Sequence, residues 1–286
     1  IAPNRYPYFL ERMTDIGHIG VFKEDHDGAM ARFIGEADVI FCMDFNQINR
    51  LDRVTDTVTA NTTAVRVLID HHLHPPVDGY AVQFSDTHAC STSYIVYQLL
   101  EALAGTDAID QAMAESLYVG IMTDTGNFSF SSLTSDLFRA VAVLIDKGVN
   151  VPYVNSSVYN NFSEGRMRLL GYMLNDKMVT DYEFGVAYVS LTEEEMRRFD
   201  FIQGDSEGFV NYPLSIRGIR MSAMFIQTKH SIRVSLRSRG EVDVNVFARR
   251  YFDGGGHRNA AGGKSYVPMN ETLENFRKYL REYFGA

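Results

Sequence analysis

Cysteine is scarce in this 286-residue chain, long apolar runs are missing, and there is no surplus of positive charge. Each shortage excludes something. Cys42 lies inside an apolar run and Cys90 at a helix start, and neither has a companion at metal-binding spacing, so both read as packing residues suited to a reducing compartment. No stretch approaches the roughly 18 uninterrupted apolar residues that argue for a membrane span. The start Ile1-Ala2-Pro3-Asn4-Arg5 lacks the basic-then-apolar order of a signal peptide. The expectation is therefore a cytoplasmic protein with no membrane partner. With 27 Lys and Arg against 36 Asp and Glu, the net charge of −9 excludes a surface that tracks long nucleic acid, because such binders neutralise many phosphates with basic stripes. Short oligonucleotide or mononucleotide ligands stay open. Methionine is also missing at position 1, so Ile1 is expected to be internal to a longer gene product.

What is present can build a core: 45% of residues are hydrophobic, over a length that suggests about two domains. The organising stretch is Asp70-His71-His72, which closes the apolar run Val65, Val67, Leu68, Ile69. A β-rich run ending in three polar groups places them at a strand's C-terminal tip, where open α/β sheets bind ligands. Carboxylate oxygen with imidazole nitrogen is a ligand set for Mn, Zn or Fe, and no cysteine stands near to suggest a structural zinc. Residues 39–43 repeat the arrangement and end in Asp44. Two parallel strands ending in acids at one sheet edge would aim both carboxylates into one crevice. A helical pattern over 109–122 is ended by Gly126 and displays a third acid, Asp124.

Other polar clusters read differently. Asp25-His26-Asp27 has metal-ligand chemistry but sits just ahead of the helical run 29–34, where Asp is favoured as a cap, and reads as a solvated loop. Ser91 and Thr92 either cap the helix that follows or meet a phosphate at its N-terminus. Residues 135–147 predict a helix stopped by Gly148, 151–161 a connection, and 163–175 a helix leading to a different composition. There the pattern predicts strands at 185–191, 219–228 and 231–236, a short helix opened by a Thr192/Glu195 capping box, and a helix over 244–252. That last helix meets Gly254-Gly255-Gly256-His257. Three glycines let a backbone approach an anion closely, or make a tight turn between helix and strand; both readings stand. Arg237 and Ser238, at a strand end, offer a fork-shaped donor and a hydroxyl that suit phosphate.

Asp44, the Asp70-His71-His72 triplet, Thr123-Asp124-Thr125-Gly126, and the glycine run continuing to Ala260-Ala261-Gly262 occur in an order that resembles the DHH phosphoesterases with a DHH-associated C-terminal domain. The nearest resemblance is to the short members: nano-RNases, 3′-phosphoadenosine 5′-phosphate phosphatases and exopolyphosphatase-related proteins. It implies an α/β protein with an N-terminal doubly wound parallel sheet, incomplete at its start, over 1–155, a linker helix region over 156–177, and a smaller C-terminal α+β substrate-binding domain over 178–286. It further implies two divalent ions, manganese first with magnesium as a substitute. Asp44 would bridge them, His71 and Asp124 would ligate one, Asp70 would orient or ligate from beneath, and His72 would face the scissile phosphate, making Asp70 and His72 the catalytic pair. Arg237, Ser238, Gly254, Gly255, Gly256 and His257, with Asn211 as a further candidate, would grip the substrate across the interdomain cleft.

One departure stands out. The family begins with a strand and a His-x-x-x-Asp-x-Asp motif upstream of the acid corresponding to Asp44, and neither His18 nor the 25–27 cluster has the strand or the spacing. The expectation is that this segment lies before Ile1 and that the chain holds half of the metal site, the alternative being a degenerate member of the family. The function implied is hydrolysis of short oligonucleotides or of 3′-phosphoadenosine 5′-phosphate by two-metal activated water. The alternatives are a cyclic-dinucleotide or polyphosphate hydrolase and a non-catalytic nucleotide sensor. A homodimer is one expectation for the oligomeric state, which the sequence does not fix.

Overall fold

The computed structural model describes residues 1–13, 15–129 and 132–285. The chain divides into two compact units, Ile1–Asn161 and Phe162–Ala286.

In the first unit, helix α1 (Ala29–Gly35) leads into strand β1 (Val39–Met43), and helix α2 (Thr55–Ala60) into strand β2 (Val65–Asp70). Strand β3 (Val82–Ser85) completes a parallel sheet of order β1-β2-β3, with Val39 opposite Val65 and Val67 opposite Val82. Parallel neighbours need crossovers, and helical segments cover both faces, α2 from the β1–β2 crossover and the helix that follows β3. Ile34, Val54 and Val58 pack with Ile40 on one face; on the other, Val67 and Ile69 pack with Ala89 and with Ile95 of helix α3 (Thr92–Ala104). Along β1 the second face is bare, with Val39, Phe41 and Met43 exposed, Phe41 by 61%. Helices α4 (Gln111–Asp124), α5 (Ser135–Asp146) and α6 (Val151–Tyr159) gather with α3 around Tyr97, Ile121, Met122, Leu137, Leu144 and Val154.

Two local expectations change. Residues 151–161, read as a connection, hold helix α6: the Asn150 side chain accepts from the Tyr153 N–H, Pro152 sits in the first turn, and Val154 and Val158 turn one face to the core. Strand β3 was not expected, because four residues are too few for a period and their identity as a strand comes from the ladder with β2. The acidic cluster behaves as a cap, with the amides of Met30 and Ala31 donating to the Asp25 carboxylate and that of Ala29 to Asp27.

Helix α7 (Glu164–Tyr172) opens the second unit and widens into a π-turn, Met173–Lys177. Then follow β4 (Val179–Asp181), β5 (Val186–Leu191), α8 (Glu193–Arg198), β6 (Met221–Gln227), β7 (Ile232–Ser238), α9 (Val244–Tyr251), β8 (Gly255–His257), β9 (Ala260–Ser265) and α10 (Met269–Phe284). The six strands form one mixed sheet of order β4-β5-β6-β7-β9-β8, in which β5 and β6 are parallel. The expected capping box is present, with Thr192 and Glu195 satisfying each other's backbone N–H groups. One sheet face packs Val186, Phe225, Val234 and Leu236 against Phe247, Phe252 and Phe276 of the α9–α10 side. On the other, Val189, Leu191, Met224 and Ile226 are covered by Leu169, Met173, Met196 and Phe209. Toward β7 and β9 this second face carries Arg233, Ser235, Arg237, Gly262 and Lys264 in place of apolar side chains, since directly opposed residues share a face. Among the described residues no helix is long and apolar enough to cross a membrane.

Asn61 ties the strands of the first sheet to their helices. Its Nδ2 donates to the carbonyls of Ile34, Gly35 and Ala37 at 2.8, 3.2 and 3.0 Å, while Oδ1 accepts from the amides of Thr63 and Ala64. One buried side chain thus satisfies the end of α1 and the entrances to β1 and β2. Asn61→Ala leaves several of these groups without partners, at roughly 1–3 kcal/mol each before relaxation. The expected outcome is a clear fall in the thermal unfolding midpoint; a midpoint unchanged within error contradicts this role.

Candidate metal centre and substrate-contact residues

The β1–β2 pairing brings both strand ends to one place. Asp44 is the first residue past β1 and takes a left-handed backbone (φ 66°), which aspartate tolerates better than most residues, while its N–H donates to the Ile69 carbonyl at 3.1 Å. Asp70 ends β2 with no exposed surface. Its Oδ1 accepts from His72 Nδ1 at 2.7 Å and its Oδ2 from the His72 amide at 3.2 Å. Burial pushes the Asp70 carboxyl up, but the hydrogen bonds and charge of His72 outweigh it, and the net direction is downward. Asp70 is therefore a carboxylate that accepts, so His72 carries a proton on Nδ1 and presents Nε2 for chemistry.

His71 is fixed the opposite way round in space but by the same logic. Its Nδ1 lies 3.3 Å from the Ala89 carbonyl oxygen, which can only accept, so Nδ1 carries a proton and, when the ring is neutral, the lone pair is on Nε2. That nitrogen stands 3.6 Å from Asp44 Oδ1 and 3.7 Å from Asp124 Oδ2, Asp124 being the last residue of α4. One donor atom from each of Asp44, His71 and Asp124 lies within 4.8 Å of the others, and the same holds for Asp44, Asp70 and His72. Electron-rich atoms gathered in this way repel one another. The strain is visible at Asp124, whose carboxyl is pushed up to about 6, first by burial and then by the Asp44 charge, with His71 and His72 pulling the other way. A divalent cation would relieve the repulsion, and carboxylate plus imidazole suits a transition-metal ion. Asp70 fits a supporting role better than a ligand's, because both its oxygens already serve His72.

Two contributors were less legible. Ser91 is the helix cap, its hydroxyl accepting from the Tyr94 amide at 3.1 Å, whereas the Thr92 hydroxyl donates to Asp44 Oδ1 at 2.9 Å. Asn46, nearly buried, donates through Nδ2 to the Leu73 carbonyl at 2.7 Å and so anchors the loop leaving His72. Only its place two residues past Asp44, as a short amide in a loop, hinted at this.

In the C-terminal unit the expected substrate residues separate. Arg237 is half-buried on the polar part of the sheet face; burial pushes its guanidinium pKa down, the nearby Glu207 charge opposes this, and Nη1 donates to the Leu236 carbonyl at 2.9 Å. Ser238 points to the other face, where its hydroxyl donates to the Val242 carbonyl at 2.6 Å and accepts from Asn259 Nδ2 at 2.9 Å. In this arrangement its proton serves a loop, so the expected contact with phosphate would require that bond to be exchanged. Of the two readings of the triple glycine, the contacts present account for the tight turn. Gly255 and His257 pair with Gly262 and Ala260 in a β-hairpin, and the Gly254 amide donates to the Ala248 carbonyl. A Cβ on Gly254 would run into the Gly262 carbonyl, and one on Gly256 (φ 148°) into that of Ala260. These glycines answer to backbone packing; Gly255 alone of the three has room, facing Asn245 and Arg249 of α9. His257 is half-buried on β8, and Asn211 lies in a 3-10 stretch, Phe209–Ser215, its amide donating to Gly208.

Asp124 sets a pH signature. A folded-state value above the ordinary carboxylate range means that the negative charge disfavours the cation-free fold progressively as pH rises through about 4 to 6. A bound cation reverses this by displacing the proton. Mn²⁺ affinity, followed by electron paramagnetic resonance, is expected to fall as pH drops below about 6, with release of roughly one proton per ion near that pH. Affinity that does not change across this range contradicts the assignment of Asp124.

Comparison with known proteins agrees with this geometry. Residues 3–121 match the model of the DHH family N-terminal domain and residues 182–286 that of the DHHA1 domain. The chain is 30% identical over 251 residues to the bifunctional oligoribonuclease and PAP phosphatase NrnA of Bacillus subtilis, covering 86% of this chain and 73% of that protein. It is 28% identical over 227 residues to the cyclic-di-AMP phosphodiesterase GdpP of the same organism, of which it covers 32%. The crystal structure of an exopolyphosphatase-related protein from Bacteroides fragilis superposes with a TM-score of 0.91 at 38% identity, covering 99% of this chain and 82% of that one. With both domain models matched in order and the Asp-His-His triplet at the end of β2, this chain belongs to the DHH family, with a DHHA1 domain as its C-terminal part.

Proposed function

We propose that this protein is a divalent-metal-dependent phosphoesterase acting on short oligonucleotides and on the 3′-phosphate of 3′-phosphoadenosine 5′-phosphate. The observation that carries the reading is the convergence of Asp44, His71 and Asp124 around a fixed imidazole lone pair. The relative from Bacillus subtilis named an oligoribonuclease and PAP phosphatase supports the substrate class. Asp44, His71 and Asp124 would hold the cation, manganese before magnesium because imidazole nitrogen suits the former. When bound, such a cation supplies a nucleophilic water near neutral pH and draws charge from the phosphoryl oxygens.

The chain's own groups do the remainder. Asp70 holds His72 by Nδ1 and supports a positive charge on that ring when Nε2 takes up a proton. A protonated Nε2 can then donate to a phosphoryl oxygen where charge develops. In the C-terminal unit Arg237 is the fork-shaped donor for a terminal phosphate, with Arg233 and Lys264 on the same sheet face adding positive potential. Gly255, His257 and Asn211 are further proposed contacts. The net charge of −9 suits small substrates gripped at one point, and the two free, buried cysteines suit the reducing cytoplasm in which we place the protein.

Turnover of 3′-phosphoadenosine 5′-phosphate and of a 5′-phosphorylated diribonucleotide, each with Mn²⁺ and with chelator, tests the proposal. Metal-dependent release of nucleoside monophosphate is expected, and Asp70→Ala should lower kcat by about 10²-fold or more while nucleotide binding persists. Nucleotide binding without metal-dependent turnover in the unaltered protein contradicts the enzyme reading and leaves a sensor.

A further inference from the structure

We infer that Thr92 is a positioning residue for the metal site: its hydroxyl holds the Asp44 carboxylate in the orientation that a cation requires. The inference rests on the proposed role of Asp44 as a ligand. Asp44 needs such a tether. It lies beyond the end of β1 on a left-handed backbone, and its side chain is 57% exposed, so neither ladder nor packing fixes its torsions. Among the described residues the one hydrogen bond reaching its carboxylate comes from Thr92 Oγ1, 2.9 Å from Oδ1. That same oxygen faces His71 Nε2 at 3.6 Å. The donor is held firmly: Thr92 is 5% exposed, β-branched, and the first residue of α3. The helix itself has no use for the hydroxyl, because Ser91, fully buried, already caps it through the Tyr94 amide. A neutral donor on one lone pair of Oδ1 orients the carboxylate without neutralising it, which is what partners behind ligands do at metal centres. Threonine and serine can serve; valine keeps the shape and loses the donor.

The competing explanation is that Asp44 merely satisfies a buried hydroxyl. The two differ in what they do to cation affinity. Mn²⁺ binding by the full chain, read by electron paramagnetic resonance in the absence of substrate, is compared for the unaltered protein, Thr92→Val, Thr92→Ser and Asp44→Ala, with thermal melting in chelator as a check on folding. Thr92→Val is expected to bind Mn²⁺ about 10-fold more weakly or worse, and Thr92→Ser within about 3-fold of the unaltered protein. Should the valine variant not fold, Thr92→Ala provides the same loss of donor without a branched side chain. A folded, donor-free variant that binds Mn²⁺ with unaltered affinity, while Asp44→Ala does not bind, overturns the role of Thr92 alone. Equal binding by Asp44→Ala and the unaltered protein overturns the metal-site reading as well.

Discussion

The contact between His71 Nδ1 and the Ala89 carbonyl decides what the centre can do. A carbonyl oxygen cannot donate, so Nδ1 carries a proton and the neutral ring would have its lone pair on Nε2, which faces two carboxylates. Without that constraint the ring could turn its N–H toward Asp44 or Asp124 and settle the electrostatics internally. With it, the Asp44 charge still stands against Asp124, whose carboxyl is raised first by burial and then by that charge, against the pull of His71 and His72. A site that is unfavourable when empty of cation is poised to bind one.

The scaffold exists to bring these atoms together. Parallel pairing of β1 and β2 delivers Asp44 and Asp70 at adjacent strand ends, and the close of α4 delivers Asp124. The two histidines after Asp70 are then divided by different anchors: the Ala89 carbonyl holds one ring and the Asp70 carboxylate the other. Asn46 and Thr92, on neighbouring segments, hold the loop and the first carboxylate. In the second unit the same division of labour appears on a sheet, one stretch of which is covered by α7 and Phe209 and another left with arginines on its face.

Much of this was written in the sequence where polarity interrupts an apolar run. Asp44 and Asp70-His71-His72 stand out because each closes an apolar run with ionisable groups, and Asp124 because a glycine follows the end of its helix. The supporting residues are less legible. Thr92 and Asn46 become contributors only through contacts 48 and 27 residues away, which no local pattern encodes. Ser238 and the triple glycine show how residue type alone leaves a role open. Their residue types suit phosphate, yet the hydroxyl is used up by Val242 and Asn259, and the missing Cβ atoms are required by the backbone of β9. Composition names what a residue can do, and only neighbours in space decide which of those things it does. Helix α6 and strand β3 illustrate this for the fold: the cap at Asn150 is readable in hindsight, whereas Val82–Ser85 is a strand only because β2 lies beside it.

The most direct test of the central claim is a crystal of the protein soaked in Mn²⁺ and measured at a wavelength where manganese scatters anomalously. An anomalous peak within ligand distance of Asp44 Oδ1, His71 Nε2 and Asp124 Oδ2, with Nδ1 of His71 still against the Ala89 carbonyl, is the expected result. Manganese bound elsewhere, with those three groups unliganded, would contradict the assignment of this cluster as the metal centre.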